Sequence, residues 1–319
     1  MHVPPAGGAS ILGLLRAPGF PTRSRDGPPV FIVTGCSSGI GLALARRLAE
    51  AAARGECRAL VTARASSLSR LEAAGIHDGA GLVRFPLDVS DESERIAAVG
   101  HAQKLWGGVD VLINNAGISY RATLEDMSTA DERLQQEVNH LGPLALTRLV
   151  LPHMRAQRWG RIINVSSVSG MMAMPTIGSY SASKWALEGA SEALWYEARP
   201  WGVRVTLIQP GFIRSDSFTH VLTPAGLDPD RSAYAEYYRR MGPFIARLMR
   251  SARATPEGVA EQILRCVAKR KPPLRLAVTR DARSFYLLRR LLPRRVYHAL
   301  LYRMLPGVNS WVPDAEGEC

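Results

Sequence analysis

The sequence predicts an α/β fold, a doubly wound parallel sheet in one domain, followed by a basic helical extension. Three observations point there. From Val30 onward, short runs rich in β-branched residues alternate with longer helical patterns. Those runs are almost continuously apolar instead of alternating, as strands covered on both faces are. The chain's positive charge is concentrated in its last third, which sets that part off from the rest.

In order, strands are expected at Val30–Thr34, Ala59–Ala63, Leu82–Phe85, Val109–Ile113, Arg161–Val165 and Val203–Ile208, with helices around 39–54, 91–105, 129–157 and 180–199. Strand–helix alternation of this kind implies right-handed βαβ crossovers and a parallel sheet. After Pro210 the pattern becomes irregular, with Pro224, Pro229 and Pro243, before a basic helical region that runs to about Leu305.

The chain has 319 residues and is 46% hydrophobic, enough for a large core, which excludes global disorder. Its four cysteines form no CxxC pair and its seven histidines no HExxH spacing, so neither a disulfide framework nor a metal site is expected and a reducing compartment is the default. Apolar runs stay short of the ~18–20 residues of a membrane-spanning helix. The first 29 residues are rich in Pro and Gly and read as a disordered tail, with an organelle transit peptide as the alternative because of Arg16, Arg23 and Arg25. A cytoplasmic protein, with membrane association as a further option, is the expectation.

Chemistry begins at the first strand. Thr34-Gly35-Cys36-Ser37-Ser38-Gly39-Ile40-Gly41 follows that strand and opens the first helix. A dinucleotide pyrophosphate requires backbone N–H donors, close approach without a Cβ and a helix N-terminus aimed at it. The turn supplies all three, although its spacing is G-x-x-x-G-x-G and not the G-x-G-x-x-G of the general fingerprint. At the end of the second strand Arg64 stands where an acid would hold the ribose 2′-hydroxyl of NAD(H). An arginine there suits a 2′-phosphate, so NADP(H) is preferred and NAD(H) is the alternative. The competing reading makes Arg64 an ordinary solvated loop residue.

Tyr180-Ser181-Ala182-Ser183-Lys184 puts a phenol and an ammonium on one face of a predicted helix. A free tyrosine has a pKa of ~10, and lowering it by ~3 units for acid/base work takes ~4 kcal/mol, which nearby positive charge can supply. Most YxxxK pairs are simply solvated helix surface, so this pair gains meaning only with its surroundings.

Those surroundings are the glycine turn, Asn114-Asn115-Ala116-Gly117 after the fourth strand, Ser167 thirteen residues before Tyr180, and Pro210-Gly211 after the sixth strand. Together they resemble the short-chain dehydrogenase/reductase family over about residues 30–215, and within it the branch of estradiol 17β-dehydrogenases and retinol dehydrogenases. The resemblance implies a Rossmann-type domain that binds a nicotinamide dinucleotide and interconverts carbonyl and alcohol. It implies Tyr180 as proton donor or acceptor, Lys184 as the holder of the nicotinamide ribose, Ser167 as hydrogen-bond donor to the substrate oxygen, and Asn139 as the binder of a water linking Lys184 to solvent. Asn139 could also be a helix-surface residue. The cofactor contacts it implies are Gly35, Ser37, Ser38, Gly39, Ile40, Gly41, Arg64, Asp88, Asn115, Ala116, Gly117, Pro210, Gly211, Ile213 and Ser215, besides Tyr180 and Lys184. Asp88 resembles the family's adenine-contacting acid and could equally be a loop acid before a helix. Ser215 stands where the family often has threonine. Some NADP(H)-using members carry a basic residue just before the second glycine, where this chain has Ser38, so the cofactor preference rests on Arg64. Homodimers or tetramers are usual in the family.

The domains follow as a tail at 1–29, a catalytic domain at 30–279 with a substrate segment at 212–255, and an extension at 280–319. Met171, Met172 and Met174, with Phe212, Phe218, Val221, Leu222, Tyr234, Tyr237, Tyr238, Met241 and Phe244, favour a lipophilic substrate such as a steroid, a retinoid or a long-chain keto-lipid. From Arg239 to Arg303 there are 17 Lys and Arg against three acids, a local excess of 14. Phe285, Leu288, Leu291 and Leu292 recur at helical spacing there with Arg289, Arg290, Arg294 and Arg295 interleaved, and Pro293 divides the segment into two helices. Such helices lie on anionic membranes or pack on their own domain; nucleic acid is not expected, because no binding fold accompanies the charge. Two further readings compete with the leading one: a soluble reductase of carrier-bound 3-ketoacyl groups, and a scaffold that senses NADP(H) without turnover.

Overall fold

The structure is a computed structural model that describes residues 27–214, 221–308 and 311. The expected tail up to residue 26, Ser215, Phe218 and Cys319 lie outside the described residues.

Seven parallel strands form one sheet: β1 (Val30–Val33), β2 (Arg58–Ala63), β3 (Leu82–Pro86), β4 (Val111–Asn114), β5 (Gly160–Val165), β6 (Val203–Gln209) and β7 (Arg275–Ala277). Their spatial order is β3-β2-β1-β4-β5-β6-β7. The order reverses direction between β1 and β4, and ligands of open α/β sheets bind at such a switch point, outside the carboxyl ends of the strands. The six strands expected from apolar runs are all present. β7 was not foreseen: it is three half-buried residues at the sheet edge, too short to carry a hydrophobic pattern.

Both faces of the sheet are covered, which is why the strands read as continuous apolar runs. Phe31 and Val33 point to one face and pack with Leu44 and Leu48 of α1 (Gly39–Ala53) and Val259 and Ile263 of a later helix, Pro256–Ala268. Val30 and Ile32 point to the other, against Val99 and Ala102 in helix Glu92–Trp106 and Leu146 and Val150 in helix Gly142–Ala156. Fully burying side chains of this size stabilises the fold by ~1.5–3 kcal/mol each.

The long helix expected at 129–157 is interrupted. It runs as α-helix over Thr129–Gln136, passes through a π-helical turn at Glu137–Leu141, and resumes at Gly142–Ala156. Pro143 has no N–H, so it cannot donate to the carbonyl four residues earlier, that of Asn139. The ladder shifts register there, and Gly142 donates instead to Glu137, five residues back.

Beyond β6, helix Ala235–Arg250 precedes Pro256–Ala268, and the chain ends in helices Arg280–Leu291 and Arg294–Arg303, separated at Pro293 as expected. These last two pack on the domain. Ala282, Phe285 and Leu301 sit with Val168, Met171 and Met172, just after Ser167. Leu305, Val308 and Trp311 sit with Met241, Ile245 and Tyr237. No helix among the described residues is long and apolar enough to cross a membrane.

Candidate active site

The glycine turn is built by steric necessity. Gly35 has φ +71°, a left-handed conformation that L side chains rarely adopt, and a Cβ on Gly41 would lie 2.1 Å from the carbonyl oxygen of Gly35. The turn and the first helix therefore approach more closely than any other residue would allow. The loop after β4 holds the arrangement from the side. Asn115 donates through Nδ2 to the carbonyls of Thr34 and Gly35 at 2.9 and 3.0 Å, and the Thr34 hydroxyl accepts from the amides of Asn115 and Ala116 at 3.0 Å each.

Ser38 is the N-cap of α1, yet its side chain makes no capping bond, and the first turn holds no acid. Helices starting at Glu92, Thr129, Pro256 and Arg280 are capped by the side chains of Asp91, Ser128, Thr255 and Thr279. An uncapped helix start beside two obligatory glycines, at the switch point of the sheet, fits an anionic pyrophosphate. Ser37, Ser38, Gly39 and Ile40 are all partly exposed there, whereas Cys36 is buried: its thiol donates to the Val33 carbonyl, and burial pushes its pKa up to about 12. Cys36 is thus an inert packing residue.

Arg64 is exposed just past the end of β2. Asp88 is half-buried after β3. Its carboxylate accepts from the amide and hydroxyl of Ser90 at 2.9 and 2.6 Å, so the local turn uses at least one of its oxygens.

Ser167, Tyr180 and Lys184 come together. Ser167 lies two residues beyond β5, and its Oγ accepts from the amide of Ser169 at 3.0 Å. That leaves its hydroxyl proton to donate to the Tyr180 oxygen. Burial raises the Tyr180 phenol above its ordinary pKa, and this Ser167 bond pulls it partly back. Tyr180 and Lys184 share one face of helix Gly178–Ala198. The Lys184 ammonium stands 5.8 Å from the centre of the Tyr180 ring and donates to the Val165 carbonyl at 3.0 Å. Burial lowers its pKa to about 8, with the Glu188 carboxylate pulling the other way. The phenol depressed by charge that the YxxxK pair suggested is therefore not what the chain alone sets up; here desolvation dominates.

Asn139 is buried in the π-helical turn, which overturns its reading as a helix-surface residue. Its side chain bonds Ile118 in both directions, at 2.8 and 2.9 Å, and donates to the Ser183 hydroxyl at 3.0 Å. It thereby pins the loop after β4 to the tyrosine helix. A Cβ on Gly117 would meet Asn139 Oδ1 at 3.2 Å and Lys184 Nζ at 3.6 Å, so this glycine lies directly beside the lysine. Asn114 is structural: its side chain donates to Asn164 Oδ1 at 2.8 Å.

On the far side, the Pro210 carbonyl accepts from Val168 at 2.7 Å, tying the loop after β6 to the Ser167 loop, and Ile213 is buried. Of the residues expected to line a substrate pocket, Met171, Met172 and Met241 are buried in apolar clusters. The hydroxyls of Tyr234 and Tyr238 are bound to Glu125 and Asp126 at 2.7 and 2.6 Å and serve the loop after Ala122.

Several residues of the site escaped sequence reasoning. Asn164 and Glu188 are buried polar groups that hold the shelf together. Asn164 donates to Ser191, and Glu188 accepts from Gln209 and Arg275 at 2.9 and 2.8 Å. A polar residue inside an otherwise apolar strand, as in Ile162-Ile163-Asn164-Val165, was the available signal.

Comparison with known proteins agrees with this arrangement. A family model described as short chain dehydrogenase matches residues 29–224. The uncharacterized oxidoreductase YusZ of Bacillus subtilis is 33% identical over 86% of this chain and 98% of its own length. The 3-ketodihydrosphingosine reductase of Bacteroides thetaiotaomicron is 34% identical over 79% of this chain and 88% of its own. The crystal structure of a short chain dehydrogenase/reductase from Burkholderia phymatum in complex with NAD superposes with a TM-score of 0.68, at 26% identity, over 83% of this chain and 93% of that one.

Proposed function

The chain belongs to the short-chain dehydrogenase family and is an oxidoreductase that uses a nicotinamide cofactor, and from that premise we propose that it interconverts the carbonyl and alcohol of a lipophilic substrate with NADP(H), Tyr180 supplying the proton in the direction of reduction and accepting it in the direction of oxidation. The observation that carries this reading is the placement of Tyr180 beside a buried Lys184, whose ammonium stands 5.8 Å from the phenol ring and is anchored on the Val165 carbonyl at the Ser167 loop.

The glycine turn, Asn115, Ala116, Gly117, Pro210, Gly211 and Ile213 would hold the cofactor, whose contribution when bound is a hydride. The rest falls to this chain. Ser167 has its acceptor side occupied by Ser169, so its hydroxyl is free to donate. A substrate carbonyl oxygen that replaces the Ser167–Tyr180 bond receives both hydroxyls, and the developing negative charge is stabilised by two oriented donors. Tyr180, kept as a neutral phenol by burial, gives up its proton there. Lys184 stabilises the resulting phenolate. Asn139 fixes the Tyr180 helix through Ser183, and its main-chain carbonyl, to which Pro143 cannot donate, is where a water joining the relay would bind.

Two observations support the finer assignments. Arg64 is exposed past β2 with no acid beside it in sequence, which suits the 2′-phosphate of NADP(H). Met171, Met172 and Met174 pack against the extension beside Ser167, which suits a lipophilic substrate, and one relative is named for a reductase of a long-chain keto-lipid. The extension also presents Leu287, Leu291, Val296 and Tyr302, each more than half exposed, among arginines. The apolar positions picked out in the sequence mostly face the domain: Phe285, Leu288 and Leu292 are partly buried and only Leu291 points outward. A second apolar set thus faces away from the domain, and an anionic membrane is the surface it fits.

The test is NADPH oxidation by the full chain with three carbonyl classes: a 17-ketosteroid, a retinal and a long-chain 3-keto base. Turnover with one of them, lost by ~10²–10⁴-fold in Tyr180→Phe, is the expected result. Activity of Tyr180→Phe within tenfold of the parent overturns the role of Tyr180; activity only on carrier-bound 3-ketoacyl groups overturns the substrate class.

A further inference from the structure

The loop after β6 is held by residues that lie far away in sequence. The amide of Gly211 donates to the Thr279 hydroxyl at 2.9 Å, and the amide of Phe212 donates to the Asp281 carboxylate at 2.7 Å. Thr279 and Asp281 are 68 and 69 residues further on, at the start of helix Arg280–Leu291. Thr279 is also the side-chain cap of that helix. Asp281 lies in the first helical turn, where a negative charge is favoured by the helix dipole.

The fit is close. A Cβ on Gly211 would stand 1.9 Å from Asp281 Oδ2, so the carboxylate occupies the space that any side chain at 211 would need. The next residue, Ala282, is fully buried against Val168, Met171 and Met172. Val168 in turn donates to the Pro210 carbonyl at 2.7 Å. The Ser167 loop, the Pro210–Phe212 loop and the first turn of the extension are therefore one interlocked unit.

We infer that Thr279 and Asp281 are positioning residues for the nicotinamide side of the cofactor site, the first turn of the extension acting on it through the amides of Gly211 and Phe212. This inference rests on the proposed use of a nicotinamide cofactor at Pro210–Ile213. With both amides tied back, the loop has one shape. Without Asp281, the Phe212 amide loses a charge-assisted partner, the loop samples other conformations, and cofactor binding must pay to reorder it.

The experiment measures NADPH binding to the full chain by fluorescence titration, together with amide hydrogen exchange of residues 211–213 in the cofactor-free protein. Neither readout needs a substrate, so failure to find a reducible carbonyl leaves this test intact. Asp281→Ala is expected to weaken NADPH binding about tenfold, the lower end for loss of a hydrogen bond to a charged group, and to speed exchange in 211–213 while amides in β1 stay protected. Asp281→Asn keeps an acceptor of the same size and is expected to stay within threefold of the parent. Gly211→Ala displaces the carboxylate and is expected to match Asp281→Ala. In the double variant the methyl fills the space left by Asp281, so the two losses do not add. Should Asp281→Ala fold poorly, Asp281→Asn and Thr279→Ser against Thr279→Val give the same comparison, with Val alone weakening binding. NADPH affinity within twofold of the parent in Asp281→Ala, unchanged exchange at 211–213, or additive losses in the double variant would each overturn the inference.

Discussion

The two walls of the proposed cofactor cleft are held in different ways. The glycine turn after β1 is secured locally and by the neighbouring strand. Two glycines permit the approach, and Thr34 and Asn115 lock it through four hydrogen bonds. Among the described residues, the loop after β6 is held from outside itself, by Val168 on the Pro210 carbonyl and by Thr279 and Asp281, which lie past two further helices and an edge strand. A wall of the first kind stands out as a motif. One of the second kind depends on how the whole chain closes on itself, and it ties the catalytic face to the basic extension.

The sharpest way to break the first wall is Gly41→Ala. Its methyl has no room beside the Gly35 carbonyl and Asn115 Nδ2. Overpacking of this kind costs up to ~3 kcal/mol, or roughly 150-fold if expressed in binding. NADPH titration should show the loss, and a denaturant melt should show how much of it reaches the fold.

The next effect is smaller and selective. Arg64→Asp should remove a preference for NADPH over NADH worth ~10- to 150-fold, since charged hydrogen bonds contribute ~1.5–3 kcal/mol. Dissociation constants for both cofactors, in parent and variant, check it. Equal affinities in the parent would leave Arg64 a surface residue.

The difference between the walls is also the difference between what could and could not be read in the sequence. The parallel sheet was legible because both of its faces are buried and its strands are therefore apolar throughout. Gly35, Gly41, Tyr180 and Lys184 were legible because backbone geometry and proton chemistry admit few residue types at those places, and Ser167 was legible through the family resemblance. Asp281 was not: as one acid in a basic helix, it looks like a solvated charge until the fold brings it against Gly211. The break in the long helix expected at 129–157 was missed although Pro143, in its interior, was the signal, since a proline there removes an N–H from the helical ladder.

A third prediction concerns pH. The folded pKa of Lys184 is depressed by burial from its ordinary 10.5 to about 8. An unfolded chain binds the extra proton between those values, so the cost of burying the ammonium is full below about 8 and disappears as pH rises toward 10.5. For binding the sign is opposite, because it is the ammonium that grips. NADPH affinity should be level below about 8 and fall by about tenfold per pH unit above it. Lys184→Met should bind weakly and without that inflection.

The remaining effect belongs to the outward face of the extension. Changing Arg289, Arg290, Arg294 and Arg295 to Gln should weaken co-sedimentation with anionic vesicles by several-fold or more, each arginine near the surface being worth at most ~1 kcal/mol, and added salt should weaken the parent in the same way. Arg289 already stacks on Trp185 at 4.7 Å, so it is expected to contribute least. Equal sedimentation of parent and variant would make the two helices packing elements alone.

The central claim is that this shelf of Ser167, Tyr180 and Lys184 transfers hydride between a nicotinamide and a lipophilic carbonyl. Isotope transfer tests it most directly. The full chain is incubated with NADPH deuterated at the reactive ring carbon and with the three carbonyl classes, and the alcohols are analysed by mass spectrometry. The account predicts deuterium on the carbinol carbon of a lipophilic product, from one face of the nicotinamide only, and none with Tyr180→Phe. Tight NADPH binding with no deuterium in any of the three alcohols would contradict it.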